Sequence, residues 1–327
     1  MAKVVLYVDD RTLSGEIDWM RGRLAECGHA LVHMPEYMNL THESDRQRFL
    51  IESLDGIDAA LLGGERFTRE VITSGRQLKV ISRAGVGYDR VDVQAAQDMG
   101  IPVLIGVGSN DVSVAEYAFA LVLGLSRRML QNHDAAKSGN WKQVTGFDVQ
   151  GKTLGIAGLG RIGRNLALRA RAFEMTVIAS EPFPDVDFVT SNHLELVDFD
   201  YLCRSCDFLS LNLPVTEITR GILNRDRLFS MKAGSYVVNT ARGELIDEKA
   251  LYDALSQGHL SGAGLDVFSV EPPDGSPLLR LDNVILSSHI AGNSSEAITR
   301  MWQQATENVI STLSGDLPRG CVVNDMS

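Results

Sequence analysis

Residues 158 to 163 read Gly158-Leu159-Gly160-Arg161-Ile162-Gly163, and their flanks decide the fold. An uncharged apolar strand, Leu154-Gly155-Ile156-Ala157, stands before them. A helical run follows, then a second apolar strand, Thr176-Val177-Ile178-Ala179, then Ser180-Glu181. Strand, glycine turn, helix, strand and acid, in that order, suit a bound dinucleotide. Gly158 permits the tight turn, Gly160 lets the backbone approach a pyrophosphate, and Gly163 lets the helix pack close to the sheet. The helix opens at Arg161 and Ile162, where free amides and the helix dipole face the phosphates. Glu181 is placed to hold the adenosine ribose hydroxyls and to repel a 2′-phosphate, which favours NAD over NADP. Glycines alone also serve ordinary turns. The two strands and the acid give these their meaning.

The rest of the chain is consistent with such a site. Its 327 residues correspond to about two domains. The composition, 44% hydrophobic and 22% charged, is that of a globular protein. No apolar run reaches the roughly 18 residues of a membrane span. The N-terminal Val4–Val8 run is too short for a secretory signal and reads as a first buried strand. A formal charge of −11 speaks against a nucleic-acid surface and against binding to anionic membranes. It leaves an anionic substrate open, because a few local cations outweigh distant charge. Cys203-Arg204-Ser205-Cys206 has CxxC spacing, yet no second pair or nearby His pair completes a zinc site. These read as buried helix cysteines in a reduced, cytoplasmic protein, with no metal.

Short apolar strands alternate with helical segments, which predicts parallel α/β architecture. The first half shows Val4–Val8, a helix near Glu16–Glu26, Ala59–Leu62, Lys79–Ser82, a helix near Asp92–Asp98, and Pro102–Ile105. Ser113 to Met129 reads as a long helix, apolar nearly all round, buried between layers, domains or subunits. Placed between domains it would serve as a hinge, and a contact between copies there would suit a twofold dimer. Later strands are Phe208–Leu213, Tyr236–Asn239, Gly264–Val267 and Val284–Leu286. A last helix, Ser294 to Leu313, is expected to return to the first domain. The expected division is 1–107 with 293–327 as a discontinuous substrate domain, and 108–292 as the cofactor domain.

In an open parallel sheet, ligands bind outside the carboxyl ends of the strands. Three polar clusters stand at such ends: Thr240-Ala241-Arg242-Gly243, Phe268-Ser269-Val270-Glu271-Pro272, and Ser287-Ser288-His289-Ile290-Ala291-Gly292. Arg242 suits a two-pronged contact with a carboxylate. His289 suits removal of a hydroxyl proton as hydride leaves the same carbon. Glu271 suits the other ring nitrogen, fixing the tautomer and raising the His pKa. Singly, each has a plainer reading: a turn cap, a solvated loop carboxylate, a buried histidine. Their common place after three strands favours the catalytic trio.

The same pieces carry a family resemblance over nearly the whole chain, densest from Arg83 to Gly292. They are Arg83-Ala84-Gly85-Val86-Gly87-Tyr88-Asp89, Ser113-Val114-Ala115-Glu116, Gly158–Gly163, Asn239–Gly243, Gly264–Phe268, Glu271-Pro272 and His289–Gly292. The chain resembles the D-isomer-specific 2-hydroxyacid dehydrogenases. The resemblance implies two doubly wound parallel-sheet domains, a Rossmann-type cofactor domain inserted in a flavodoxin-like substrate domain. It implies a catalytic trio of Arg242, Glu271 and His289, with Thr240 and Asp266 near the cofactor. It implies a substrate carboxylate held by amides around Val86 and Gly87, which a glycine-rich anion nest permits. Closure of the two domains would bring that loop over the nicotinamide. The expected substrate is a small 2-hydroxy or 2-keto acid and the expected assembly a homodimer. The alternative is an NADH-sensing interaction protein like the co-repressors that share fold and trio.

Some positions depart from the family. Ser288 stands where Pro usually precedes the catalytic His, and Arg90 where Asn often follows Asp89. The turn after Ala59–Leu62 reads Gly63-Gly64-Glu65-Arg66 where phosphoglycerate-type members carry an Arg. The resemblance therefore leaves open whether the substrate is phosphorylated, with Arg66 a candidate for a distal anion. From this length no separate regulatory domain is expected after Leu317. His29, His33 and His42 read as surface or domain packing. Arg127-Arg128 reads as cations complementing a helix terminus, and Trp141 as a domain-boundary packing residue.

Overall fold

A computed structural model describes residues 1–326 and divides them into two compact units, Met1–Asn110 with Ser294 onward, and Asp111–Asn293. The first unit is built on a five-stranded sheet: β1 (Lys3–Leu6), β2 (Ala30–His33), β3 (Ala59–Leu62), β4 (Val80–Arg83) and β5 (Val103–Leu104). Its order is β2-β1-β3-β4-β5, and the pairing of these strands is parallel throughout. That is the flavodoxin-like winding, with its switch point between β1 and β3. Helices cover both faces, so β3 is buried at every residue and reads as a continuous apolar run. The helix Ser295–Leu313 belongs to this unit, and its Trp302 packs with Leu6, Leu61 and Val80 in one of the two core layers. Ser294 caps that helix, its hydroxyl accepting from the amide of Ala297.

The second unit carries a seven-stranded parallel sheet: β6 (Thr153–Ala157), β7 (Thr176–Ser180), β8 (Glu195–Leu196), β9 (Phe208–Leu211), β10 (Tyr236–Asn239), β11 (Gly262–Leu265) and β12 (Val284–Leu286). The order is β12-β11-β10-β9-β6-β7-β8, so the winding reverses between β6 and β9. That reversal opens a crevice at the carboxyl edge, where the glycine turn emerges from β6.

Several expectations shift. β2 and β8 escape the sequence reading, being short edge strands that are only partly buried or exposed. β11 begins two residues before the predicted strand, which leaves Asp266 as the first residue beyond it. The long apolar helix runs Asp111–Ser126 and packs against the second unit's own sheet. Leu121 lies on Gly264, with only 3.0 Å from its Cβ to where a Gly264 Cβ would stand, so the helix rests almost on the strand backbone. The helix stops at Arg127 and Arg128, the latter left-handed at φ +53°, and a second helix starts at Met129. Arg128 lies over the Tyr236 ring, 5.9 Å from its centroid. Trp141 is not a packing residue within the chain; it is 77% exposed. Among the described residues, no helix is long and apolar enough to cross a membrane.

Cys203, on the helix Phe199–Ser205, and Cys206 just beyond it are fully buried and unbridged. Burial disfavours the thiolate and pushes both thiols up to about 12. Titration of the native protein with a chromogenic disulfide reagent is therefore expected to leave both cysteines unmodified until denaturant is added. Mass spectrometry showing a Cys203–Cys206 bridge in native, mildly oxidised protein would contradict this.

Candidate functional site

The glycine turn follows β6 directly. Gly158 sits at φ +93°, and a Cβ there would stand 2.6 Å from the Asn212 carbonyl oxygen. Gly163 lies in the first turn of the helix Arg161–Ala172, where a Cβ would stand 2.1 Å from the Gly158 carbonyl oxygen. These two glycines let turn, helix and β9 close on one another. Gly160 caps the helix, and nothing lies within 4 Å of where its Cβ would be. The steric room is thus kept where a pyrophosphate would approach, beside the amides of Arg161 and Ile162.

Glu181, just past β7, reaches back to the turn. Its Oε2 accepts from the Leu159 amide at 2.9 Å and its Oε1 from the Phe183 amide at 3.0 Å. The acid therefore fixes the glycine turn from the end of β7. Two buried polar atoms at this edge have no protein partner: the Thr240 hydroxyl, past β10, and Asn212 Oδ1, past β9. Buried polar groups are nearly always satisfied. An open glycine cap, a ribose-ready carboxylate and two orphaned polar atoms along one edge fit a dinucleotide. Asn212 escaped the sequence reading; its signal was its place immediately beyond an apolar strand.

Three loops farther along the edge hold the expected trio. Asn239, the fully buried last residue of β10, shapes the first. Its Nδ2 donates to the Arg242 carbonyl at 2.8 Å, and its Oδ1 accepts from the Ala241 amide at 3.0 Å. Gly243 follows, where a Cβ would stand 1.9 Å from the Phe268 carbonyl carbon. Only glycine allows the Arg242 loop and the Phe268 loop to cross so closely. The Arg242 guanidinium is half-buried, and its Nη1 donates to the Ala241 carbonyl at 2.7 Å.

Glu271 and His289 meet directly. Glu271 Oε1 accepts from the Phe268 amide at 3.2 Å, and Oε2 pairs with His289 Nδ1 at 2.9 Å. An ionised carboxylate only accepts, so Nδ1 carries the proton and Nε2 is the nitrogen left to work. His289 itself sits at φ +57°, left-handed and half-exposed.

Asp266 holds that conformation. It is 1% exposed, and its carboxylate accepts from the Ser287 hydroxyl at 2.6 Å and from the amides of Ile290 and Ala291, each at 2.9 Å. Its carbonyl accepts from the His289 amide at 2.8 Å, while its own amide donates to the Asn239 carbonyl at 3.0 Å. Asp266 thus joins the Arg242 loop to the His289 loop. The resemblance implies a place near the cofactor; the carboxylate itself is engaged by the loop that carries the histidine. Ser288 stands between two anchored residues, so the loop is held without the proline usual in the family.

Val86 and Gly87 lie in the first unit, in the loop past β4, half-buried. Arg83 Nε donates to the Gly87 carbonyl at 2.7 Å, and the Gly106 amide donates to the Gly85 carbonyl at 2.8 Å. Arg90 Nη1 donates to the Gly64 carbonyl at 3.2 Å, and Arg66 is exposed.

Comparison with known proteins gives the same picture. A family model described as "D-isomer specific 2-hydroxyacid dehydrogenase, NAD binding domain" matches residues 119–291, and NAD is the cofactor of this domain. The chain is 41% identical over 277 residues to the D-3-phosphoglycerate dehydrogenase of Methanocaldococcus jannaschii, covering 84% of this chain and 53% of that one. It therefore spans about half the length of the phosphoglycerate dehydrogenases it matches. It is 40% identical over 285 residues to the hydroxypyruvate reductase of Thermotoga maritima, covering 85% of this chain and 92% of that one. The crystal structure of D-lactate dehydrogenase from Aquifex aeolicus complexed with NAD and lactic acid aligns with a TM-score of 0.86 at 27% identity, covering 99% of this chain and 100% of that one. Identity of this depth across both units, with a matched cofactor domain, makes the chain a member of the D-isomer specific 2-hydroxyacid dehydrogenase family.

Proposed function

We propose that this protein moves a hydride between a D-2-hydroxy acid and NAD, with His289 as acid and base. The observation that carries the reading is the 2.9 Å Glu271–His289 pair, standing beside the Arg242 loop at the carboxyl edge of the NAD-binding sheet. Bound NAD supplies the carbon that accepts or delivers the hydride. In the oxidising direction His289 Nε2 takes the hydroxyl proton while hydride leaves the adjacent carbon. In the reducing direction the same nitrogen returns a proton to the keto oxygen as hydride arrives, so charge and protons balance. Glu271 keeps Nδ1 protonated and stabilises the imidazolium that forms. Arg242 takes the substrate carboxylate through charge-assisted hydrogen bonds and fixes the reacting carbon. The amides of Val86 and Gly87, in the first unit, are proposed to hold a substrate carboxylate. Gly158, Gly160, Arg161, Ile162 and Gly163 are proposed to cradle the pyrophosphate, Glu181 to hold the ribose, and Thr240 and Asn212 to meet the cofactor with their orphaned atoms.

The test is NADH consumption with a panel of 2-keto acids, including glyoxylate, hydroxypyruvate and phosphohydroxypyruvate. Turnover on at least one is expected, and NADPH is expected to serve poorly because Glu181 repels a 2′-phosphate. NADH binding with no turnover on any acid would point to the sensing alternative. His289→Asn is expected to lower kcat at least about a hundredfold, the usual contribution of a general acid–base. Its NADH affinity, read by fluorescence titration, is expected to stay near wild type; loss of both would make the histidine structural. Arg242→Ala is expected to lower kcat/KM about a hundredfold or more, as befits loss of a charge-assisted contact to a carboxylate. Wild-type turnover in that variant would remove Arg242 from the mechanism.

A homodimer is part of the same proposal. Met129 (58% exposed), Trp141 (77%), Leu168 (46%) and Phe173 (48%) leave much apolar surface on the second unit uncovered by its own chain. Light scattering coupled to gel filtration is expected to give twice the 35.7 kDa chain mass. A monomer at micromolar concentration would refute it.

A further inference from the structure

The outer edge of the first sheet is covered from within the chain. β5 is two residues long and stands last in the strand order, beside β4. Such an edge presents a row of unpaired amides and carbonyls unless something answers them. Cys321-Val322-Val323-Asn324 answers them. Leu104 and Val322 form an antiparallel bridge. The Ile105 amide donates to the Cys321 carbonyl at 2.9 Å, and the Val323 amide donates to the Val103 carbonyl at 2.9 Å. Asn324 completes the row with its side chain. Its Oδ1 accepts from the Val103 amide at 2.8 Å, and its Nδ2 donates to the Ile101 carbonyl at 2.8 Å. A carboxamide thus does what the next peptide of a strand would do. The side chains alternate as on a strand: Val322 packs into the core layer of Leu6 and Leu104, Val323 into the opposite layer with Ile81 and Val103.

This edge leads directly to the loop of Val86 and Gly87, within the same unit. Ile105 is held twice. Its amide meets Cys321, and its carbonyl accepts from Asn308 Nδ2 at 3.3 Å. Asn308 is 5% exposed and lies on the helix Ser295–Leu313. The next residue, Gly106, carries the connection onward. Its amide donates to the Gly85 carbonyl at 2.8 Å, and its carbonyl accepts from the Ser109 hydroxyl at 2.7 Å. A Cβ on Gly106 would stand 2.9 Å from Ser109 Oγ and 3.3 Å from the Gly85 nitrogen. The turn 85–87 therefore rests on the backbone that leaves β5, with no side chain between them.

We propose that residues 321–324 act as an added edge strand that positions the substrate loop: Asn324 and the Cys321 carbonyl fix the end of β5, and the Gly106 amide passes that restraint to the turn 85–87. Asn324 is the positioning residue. The proposal rests on the reading of Val86 and Gly87 as the amides that take the substrate carboxylate. Amides bind an anion well when they are already aimed at it, because ordering them at the moment of binding weakens the complex. The identity of the side chain matters. A carboxamide offers an acceptor and a donor in one plane, an aspartate would lose the donor, and an alanine would lose both.

Asn324→Ala in the full chain tests this. Hydrogen exchange at the amides of Val103 and Gly106 is expected to quicken about tenfold, as for a segment that loses one or two hydrogen bonds. In steady state, KM for the 2-keto acid is expected to rise about fivefold, with kcat and the KM for NADH within about twofold of wild type. Asn308→Ala releases the Ile105 carbonyl from a different element and is expected to give the same split, so the test survives if one variant folds poorly. Leu50→Ala is the comparison. Leu50 is fully buried on the helix Glu43–Ser53, which joins β2 to β3 at the opposite side of the strand order from β5. Its truncation is expected to lower the melting temperature and leave KM for the 2-keto acid near wild type. Faster exchange at Val103 with Gly106 exchange and KM unchanged would overturn the proposal, since the edge cover would then stop short of the loop. A rise in KM after Leu50→Ala as large as after Asn324→Ala would overturn it too. If the wild-type protein reduces no 2-keto acid, the functional reading fails, and the Gly106 exchange alone still decides whether the edge strand governs the turn.

Discussion

A buried carboxylate needs hydrogen-bond donors, and Asp266 finds three of them in the loop that carries His289. Charge-assisted bonds of this kind are worth about 1.5–3 kcal/mol each, enough together to hold a non-glycine residue in the left-handed region. His289 occupies that region, and its ring consequently meets Glu271. The backbone of Asp266 ties the same loop to Asn239, and the Asn239 amide group in turn shapes the Arg242 turn. One connected set of hydrogen bonds therefore runs from the arginine to the imidazole.

The second constraint is closeness. The Arg242 loop and the Phe268 loop cross at Gly243 with no space for a methyl group, and the glycine turn and its helix meet at Gly163 in the same way. Larger residues at either point would push apart elements whose separation defines the site. Packing of this kind transmits error: a shift of about 1 Å in a positioning loop can reduce rate a hundredfold without touching the chemistry. The role of these glycines is thus visible in distances between other residues.

Much of this was legible in the sequence because parallel strands covered on both faces appear as short apolar runs. β6, β7, β9 and β10 stand out for that reason, and the polar residues that end them mark the ligand edge. What stayed hidden follows from the same rule. β2 and β8 are edge strands and lack the buried run. β11 opens with Gly262-Ala263-Gly264, which resembles a loop because the strand has given up side chains to let Leu121 approach. The helix Asp111–Ser126 announces its burial but not its partner, since hydrophobicity is non-directional. Trp141 misled for the opposite reason: a large aromatic suggests packing, yet here it stands exposed. Asn212 and Asp266 were underread because a polar residue past a strand does not disclose whether it serves the ligand or the loop beside it. The Glu271–His289 pair was more readable, because the two residues follow neighbouring strands of one sheet.

Glu65 shows the limit most clearly. A glutamate between two glycines and an arginine reads as a solvated turn, and only the winding of the first sheet buries it. Its contrast with Asp266 is instructive. Asp266 lies in the second unit and is answered by the amides and hydroxyl of its own loop, so its charge is matched locally. Glu65 lies in the first unit, where its Oε2 accepts from the Gly63 amide and burial is the larger influence on its charge. A carboxylate matched by the amides and hydroxyl of one loop fixes the geometry of that loop. One buried with fewer donors is pushed toward its neutral form. Each unit thus buries a carboxylate just past a strand of its own sheet, and the difference between them follows from which donors the chain brings within reach.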